Sequence, residues 1–199
     1  MINLNNTVDG HLKFFGAVAV NSKVIFIPYN ADVVGVLDTT SASQSTPQFS
    51  TVTLRGLVTG SRKFRGGAVI GSKVYFAPFH ADVIGVFDTA ADEGKGVFSI
   101  ISLDGMVGRN WKFGGAAAIG SKVYFSPFDA NVVGVLDTAP LMGGPAQFST
   151  ISLDASLHGD RKFSDAVVVG HKIVFVPYCA NVIGILDTTG NDGAGVVST

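Results

Sequence analysis

The sequence predicts an all-β fold built from four copies of one unit, and two observations lead to that prediction. The first is a fourfold repeat, which starts at Lys13, Lys63, Lys112 and Lys162 and reads KFFGAVAVNSKVIFIPYNADVVGVLDT, KFRGGAVIGSKVYFAPFHADVIGVFDT, KFGGAAAIGSKVYFSPFDANVVGVLDT and KFSDAVVVGHKIVFVPYCANVIGILDT. The starts lie 50, 49 and 50 residues apart. The second is a composition with 15 Phe and 25 Gly, which suits short strands joined by tight turns. Repeats of this kind indicate stacked or radially arranged β units.

The second repeat shows the four strands that each unit contains. Gly66–Ile70 is a run of small apolar residues that ends at a two-residue turn signal. Lys73–Ala77 is rich in β-branched and aromatic residues and stops at Pro78, which has no backbone N–H to donate. Asp82–Asp88 is the third predicted strand, and Phe98–Leu103 is the fourth.

Four strands in about 50 residues are typical of a β-propeller blade. The first three strands of each repeat are almost continuously apolar, whereas the outermost strand, Gln48–Leu54 in the first repeat, partly alternates. This gradient is expected when each sheet is packed between two neighbouring sheets. We therefore predict one β-propeller domain over residues 1–199, with blades spanning approximately residues 5–54, 55–103, 104–153 and 154–199 together with 2–4.

The ends of the chain continue the repeat and bear on how the propeller closes. Gly195–Thr199 matches the start of the fourth strand and Ile2–Leu4 matches its end, so the two segments are expected to form one split strand. Small residues in the innermost strands favour a four-bladed ring closed within a single chain, because the axis is then most crowded. The alternatives are a homodimer in which each chain supplies half of an eight-bladed ring, and four blades that are part of a larger assembly.

A glycine recurs in the middle of the third strand, at Gly35, Gly85, Gly134 and Gly184. Glycine weakens a strand unless another group approaches its backbone closely. We expect a phenylalanine ring to pack across each of these glycines, so that Gly134→Val is severely destabilising while the same change at Gly143, in a loop, costs little.

One segment of the second repeat, SKVYFAPFHADVIGVFDTA, resembles the YVTN-type repeat of the kelch/YVTN-like propellers. The matching residues are Lys73, Val74, Tyr75, Asp82, Val83, Val86, Asp88 and Thr89. Pro stands where that repeat ends its strand with Asn, and the period is longer than the usual one. The resemblance covers the second and third strands of each repeat. It implies propeller modules used for adhesion, in surface layers or as scaffolds, and it carries over no catalytic residue.

The loops between the second and third strands are the first candidate binding site. They read PYNAD, PFHAD, PFDAN and PYCAN, and one position varies within this frame, namely Asn30, His80, Asp129 and Cys179. We predict that these side chains contact a protein partner or a small ligand on one face, the alternative being an exposed loop tip that tolerates any residue. Such loops lie too far from the axis to share one metal ion, so no metal site is predicted. No unique cluster of reactive side chains stands out either, so no cofactor or catalytic residue is predicted.

The repeated lysines are the second candidate site. Lys13, Lys63, Lys112 and Lys162 each begin an innermost strand, and in a closed ring they would encircle one mouth of the channel as an anion site. In the alternative, each lysine pairs with a polar loop residue of a neighbouring blade. Those loop residues are Asp32, Asp82, Asn131 and Asn181.

A third repeated polar residue is an aspartate followed by threonine. It occurs at Asp38, Asp88, Asp137 and Asp187. Such carboxylates are expected to cap turns by accepting backbone N–H groups, and four equivalent copies reflect the repeat rather than a catalytic pair.

Composition limits the partners that the chain can have. A net charge of −1 without any basic block gives no basis for nucleic-acid binding. Apolar runs end after about seven residues, too few for insertion through a membrane. Cys179 is the single cysteine, so the fold contains no internal disulfide.

The repeated residues have packing or turn roles and the variation falls in loops, so we expect a non-enzymatic binding or scaffolding propeller. One alternative is a hydrolase or lyase that holds a cation in the axial channel. Another is a lectin with one sugar site per blade, although Trp111 is replaced by Leu12, Arg62 and Arg161 in the other repeats.

Overall fold

Four antiparallel sheets of four strands each make up the described part of the chain. The computed structural model describes residues 2–4, 7–40, 47–108, 110–141, 143–154, 157, 159–189 and 197–198. The chain separates into two compact units, Met1–Ile101 and Ser102–Thr199, and each unit is described by itself.

Unit 1 contains blade 1 and, as far as Ile101, blade 2. The strands of blade 1 are β1 (Phe14–Val20), β2 (Lys23–Pro28), β3 (Val33–Asp38) and β4 (Gln48–Thr53). Those of blade 2 are β5 (Phe64–Ile70), β6 (Lys73–Pro78), β7 (Val83–Asp88) and β8 (Val97–Ser102). In both blades the strands are hydrogen-bonded in chain order.

Unit 2 contains blades 3 and 4, which are built in the same way. The strands of blade 3 are β9 (Phe113–Ile119), β10 (Lys122–Pro127), β11 (Val132–Asp137) and β12 (Gln147–Ser152). Those of blade 4 are β13 (Phe163–Val169), β14 (Lys172–Pro177), β15 (Gly184–Asp187) and β16 (Val197–Ser198).

The predicted all-β fold of four four-stranded blades is confirmed, and it matches a four-bladed β-propeller. Helical structure in the described ranges is confined to a 3-10 turn at Asp92–Gly94, and no described helix is long and apolar enough to span a membrane. That residues 1–199 form one domain with the predicted blade limits stays a prediction.

The split outer strand is described only in part. β16 pairs with β15 through Val197 and Ser198, whereas residues 195, 196 and 199 lie outside the described ranges. Ile2–Leu4 has no strand assignment, and Ile2 and Leu4 lie over the apolar face of blade 1, where they line a cavity.

The first hairpin of every blade turns at a residue with left-handed backbone. Asn21, Gly71, Gly120 and Gly170 have φ between +51° and +60°. Tight two-residue hairpins require positive φ, and Gly and Asn adopt it at the lowest cost. The turn chemistry of the sequence therefore fixes where β1, β5, β9 and β13 end.

Phenylalanine rings pack across the mid-strand glycines, as the sequence predicts. A Cβ atom built on Gly134 would lie 2.8 Å from Phe113 and 3.0 Å from Phe148. The same arrangement recurs with Phe14 and Phe49 at Gly35, with Phe64, Phe76 and Phe98 at Gly85, and with Phe163 and Phe175 at Gly184. Because glycine has no side chain, these rings can approach the backbone of the strand closely.

Gly134→Val is expected to lower the free energy of unfolding by about 1–3 kcal/mol, because the valine side chain overpacks the site occupied by Phe113 and Phe148. Urea denaturation of the variant measures this loss. Gly143 is not the mild control that the sequence suggests, because its φ of +66° strains any β-branched residue. Gly108, with no atom within 4 Å of an added Cβ, is the better control. Equal losses in Gly134→Val and Gly108→Val would contradict the packing role.

Candidate binding face

Each innermost strand contains a β-bulge just after its opening Lys-Phe pair. In blade 1 the register shifts within Phe14–Ala17, and in blade 2 it shifts within Phe64–Gly67. A bulge bends the strand and redirects side chains, and bulges are common beside functional sites. Phe15 and Arg65 occupy these two bulges. Neither residue was predicted from the sequence, although the second residue of the innermost strand varies among the repeats.

The aromatic–arginine cluster of unit 1 consists of Phe15, Tyr29, Arg65, Phe79 and His80. The Cζ atom of Arg65 lies 4.5 Å from the centre of the Phe15 ring and 5.4 Å from that of Phe79. The Tyr29 ring centre is 5.5 Å from Phe15 and 6.0 Å from Phe79, and the His80 ring stacks on Phe79. A cation–π contact contributes about 0.5–1 kcal/mol at an exposed site and more where water is excluded, so the two contacts hold the guanidinium group over the rings.

Unit 2 carries a related set of rings with its arginine at a different position. Arg161 Cζ lies 5.1 Å from the centre of the Trp111 ring. Trp111 is 6.4 Å from Phe128, which in turn is 5.5 Å from Tyr178. Both units therefore present arginine over aromatic rings, but the composition of the set differs between them.

Two of the predicted loop residues hold the backbone of the following blade. Asn30 Oδ1 accepts a 2.9 Å hydrogen bond from the backbone N–H of Arg62, and Asn30 Nδ2 donates to the carbonyl of His11. Asp129 Oδ1 accepts a 2.7 Å bond from the backbone N–H of Arg161. Arg62 and Arg161 both have positive φ, so the acceptor stabilises a backbone conformation that few residues adopt.

The other two loop residues lie in different environments. His80 is half-buried and belongs to the aromatic–arginine cluster, whereas Cys179 is exposed. Within the described ranges, no three His, Cys, Asp or Glu side chains come together as a metal site. Of the four predicted loop residues, only His80 therefore lies against the aromatic rings. The binding role of this loop position stays a prediction.

Lys63 is a buried cation that joins blade 1 to blade 2. Its side chain is 1% exposed, and its Nζ atom donates to Asp32 Oδ1 at 2.8 Å, to the Asn30 carbonyl at 3.0 Å and to the Gly60 carbonyl at 2.7 Å. Buried lysines require such compensation, because an ammonium group without partners is costly to remove from water.

Lys162 makes the equivalent connection between blades 3 and 4. Its Nζ atom donates to Asn131 Oδ1 and the Asp129 carbonyl, both at 3.3 Å, and to the Gly159 carbonyl at 2.8 Å. Lys112 is also 1% exposed. The geometry at Lys63 and Lys162 corresponds to the alternative in which the lysine pairs with a loop of the neighbouring blade, and an anion would have to displace those oxygens.

Lys13 is the repeated lysine at the start of blade 1. It is half-buried, and its Nζ atom donates to the carbonyl of Gly10 in its own loop. The Gly60 and Gly159 carbonyls receive the same bond in blades 2 and 4.

The repeated aspartates cap turns as predicted. Their carboxylates accept backbone N–H bonds two residues on, at 2.9 Å for Asp38 to Thr40, 3.1 Å for Asp88 to Ala90, 3.0 Å for Asp137 to Ala139 and 2.9 Å for Asp187 to Thr189. The hydrogen bond from the Thr189 hydroxyl, followed by that from its backbone N–H, lowers the pKa of Asp187. The lowered pKa of Asp187 therefore comes from hydrogen bonds within a turn.

A polar groove of about 470 Å³ lies elsewhere in unit 1, beside β3, β4 and the Asp92–Gly94 turn. Lys23 and Lys95 line it together with Asp38 and Glu93, so its charges balance. The Lys23 ammonium donates to the Gly94 carbonyl and thereby ties the turn of blade 2 to blade 1. The groove shows no preference for a charged ligand.

Solved propeller structures resemble the chain at low sequence identity. Hydrazine synthase of Kuenenia stuttgartiensis matches with a TM-score of 0.60 and 14% identity, over 100% of this chain and 53% of that one. A Lactobacillus plantarum protein matches at 0.61 and 16%, over 94% and 54%. The β-propeller domain of Cps50 (Swd1) from Myceliophteria thermophila matches at 0.54 and 10%, over 90% and 56%.

These similarities establish the propeller fold alone, because the sequence identities are low and the matched proteins are of different kinds. The chain spans about half the length of these three solved chains. No protein-family profile matches the sequence. No curated protein matches it either.

Lys63→Met is expected to lower the free energy of unfolding by about 1.5–3 kcal/mol, the usual contribution of hydrogen bonds from a charged group. The variant keeps the apolar stem and removes the ammonium group that joins blades 1 and 2. Chemical denaturation measures the loss. Lys73→Met is the matched control, because Lys73 is exposed at the far end of β6. A control that loses as much stability would contradict the connecting role of Lys63.

Proposed function

We propose that the protein is a non-enzymatic binding or scaffolding β-propeller that contacts a protein partner through the aromatic–arginine cluster of unit 1. The observation that supports this most directly is the guanidinium group of Arg65 held over the rings of Phe15 and Phe79. Arginine and large aromatic residues are the types that contribute most at protein interfaces.

The cluster is positioned on rigid elements rather than on a long loop. Phe15 and Arg65 lie in strands β1 and β5, and Tyr29 and Phe79 directly follow β2 and β6. Side chains that are already ordered lose little conformational entropy when a partner binds. Phe15 is 42% exposed, so part of the cluster is open to a partner.

The chemistry of Arg65 indicates the type of group that a partner presents. A guanidinium group is always charged, and its planar donors match a carboxylate in two parallel hydrogen bonds. We therefore expect an acidic side chain of the partner at Arg65 and an apolar or aromatic side chain at Phe15. The loop residue His80 belongs to the same cluster and would supply a polar contact at its rim.

Arg65→Ala is expected to weaken binding about tenfold or more, because loss of a residue central to an interface costs about 1–2 kcal/mol. Arg65→Lys should be weakened as well, because it keeps the charge but not the planar donor group. Binding to an array of peptides that carry Asp or Glu beside an aromatic residue measures both effects. Lys73→Ala, at the opposite end of β6, is the control.

Three outcomes would contradict the proposal. Equal binding by wild type and Arg65→Ala would exclude the cluster as the contact surface. Turnover of an ester, a lactone or a glycan that one loop substitution abolishes would instead favour the enzymatic alternative, and selective binding on a glycan array would favour the lectin.

A further inference from the structure

Neighbouring blades pack through two different faces, which we call leading and trailing. The leading face of blade 1 includes Ile25, Ile27 and Val34, and it packs in one core with Phe64 and Phe76 of the trailing face of blade 2. All five side chains are fully buried. A leading face is therefore built to be covered by the trailing face of the next blade.

Unit 2 repeats this arrangement between blades 3 and 4. Tyr124 and Val133 of the leading face of blade 3 share a core with Phe163 and Phe175 of blade 4. The Ser126 hydroxyl of blade 3 also donates to a carbonyl of blade 4, that of Asp165, at 3.0 Å. Interdigitated apolar side chains and a polar contact thus accompany every covered leading face described within a unit.

The leading face of blade 4 has the same composition but is open to solvent. Five of its apolar side chains are 40–62% exposed, namely Val167, Val169, Val176, Tyr178 and Ile183. Val133, the residue of blade 3 equivalent to Ile183, is fully buried. Contiguous apolar surface of this kind marks an interaction site in a soluble protein.

The trailing face of blade 1 is its structural complement. Phe14, Phe26 and Leu37 are only half-buried, whereas their equivalents in blade 2 are fully buried. An apolar cavity of about 180 Å³ lies over them, and its lining comprises Ile2, Leu4, Phe14, Phe26, Leu37 and Phe49. Ile2 and Leu4 correspond in the repeat to Val52 and Leu54, which pack in the core shared by blades 1 and 2.

The lysine that connects neighbouring blades is also present at the trailing face of blade 1. Lys63 and Lys162 each bind a carbonyl and a side-chain oxygen of the preceding blade. For Lys13 the equivalent oxygens belong to Cys179 and Asn181 of a blade 4. Lys13 already donates to Gly10, the bond that the other lysines make within their own loops.

We propose that the leading face of blade 4 binds the trailing face of blade 1 in a second copy of the chain, so that the protein is a dimer. The same contact then occurs twice, as a closed symmetric dimer requires. The repeat supports a second copy as the partner. Within each unit a leading face is covered by the trailing face of the next repeat, and in a second copy the trailing face of blade 1 is only half-buried.

Light scattering tests the assembly. Wild type should have a mass of about 41 kDa, twice the 20.6 kDa of one chain. Ile183→Glu places a carboxylate in the interface and should give 20.6 kDa, whereas Leu141→Glu, at a fully exposed loop position, should stay at twice that mass. Circular dichroism checks that both variants remain folded. A wild-type mass of 20.6 kDa, or any mass other than two chains, would overturn the proposal.

A cross-link identifies which copy supplies the partner face and does not depend on a destabilised variant. Asn30 and Asp129 bond to the backbone N–H of Arg62 and Arg161, and the equivalent pair at the open faces is Cys179 and Leu12. In Leu12→Cys the two thiols should form a disulfide under oxidised glutathione, which accepts the two electrons and two protons. Wild type and Leu57→Cys serve as controls.

The denaturing, non-reducing gel separates the two sources of blade 1. A band at the mass of two chains, formed with Leu12→Cys and at most weakly with either control, supports the second copy. A disulfide within a single chain would show that the protein covers its own blade 4, and it would overturn the proposal, as would the absence of any cross-link. The proposal does not depend on the partner site at Arg65, so either can fail while the other holds.

Discussion

The packing of a phenylalanine ring against bare backbone is the interaction on which the rest of the structure depends. In each blade a ring from a neighbouring strand lies on the mid-strand glycine, with no side chain between ring and sheet. This removes bulk from the middle of β3, β7, β11 and β15, and it lets the rings become part of the layer between blades. Burial of those rings contributes hydrophobic free energy to the packing of the blades.

The buried lysines also lie between blades, but they specify how the blades are aligned rather than adding buried apolar area. Lys63 donates two hydrogen bonds to a loop of blade 1 and one to its own loop, so shifting the blades would leave its buried charge without the two partners in blade 1. The lysine also sits directly before the bulge that carries Arg65, so one contact fixes both the blade and the aromatic–arginine cluster. The packing of the two blades and the position of the cluster are therefore linked through one strand, β5.

The fold was predictable because its determinants are local and occur four times. Turn residues such as Gly71, the strand-ending Pro78 and the mid-strand Gly134 each require a particular backbone conformation or neighbour, and repetition distinguished these signals from chance. The candidate site was less predictable. Arg65 and Phe15 occupy equivalent positions that differ between repeats, so repetition concealed them. Their contact depends on a bulge and on two blades lying side by side, neither of which the spacing of residues reports.

The sequence by itself determined the number of blades, the strands in each and the turn-capping role of the repeated aspartates, because each depends on residues close together in the chain. Only the tertiary structure decided that Lys63 and Lys162 are buried connectors, and that Asn30 and Asp129 hold the backbone of the next blade. It also decided which apolar surfaces are covered, since blade 3 and blade 4 have similar sequences and differ in exposure. Whether a face is buried depends on which element packs against it, and the residues of the face alone do not specify that element.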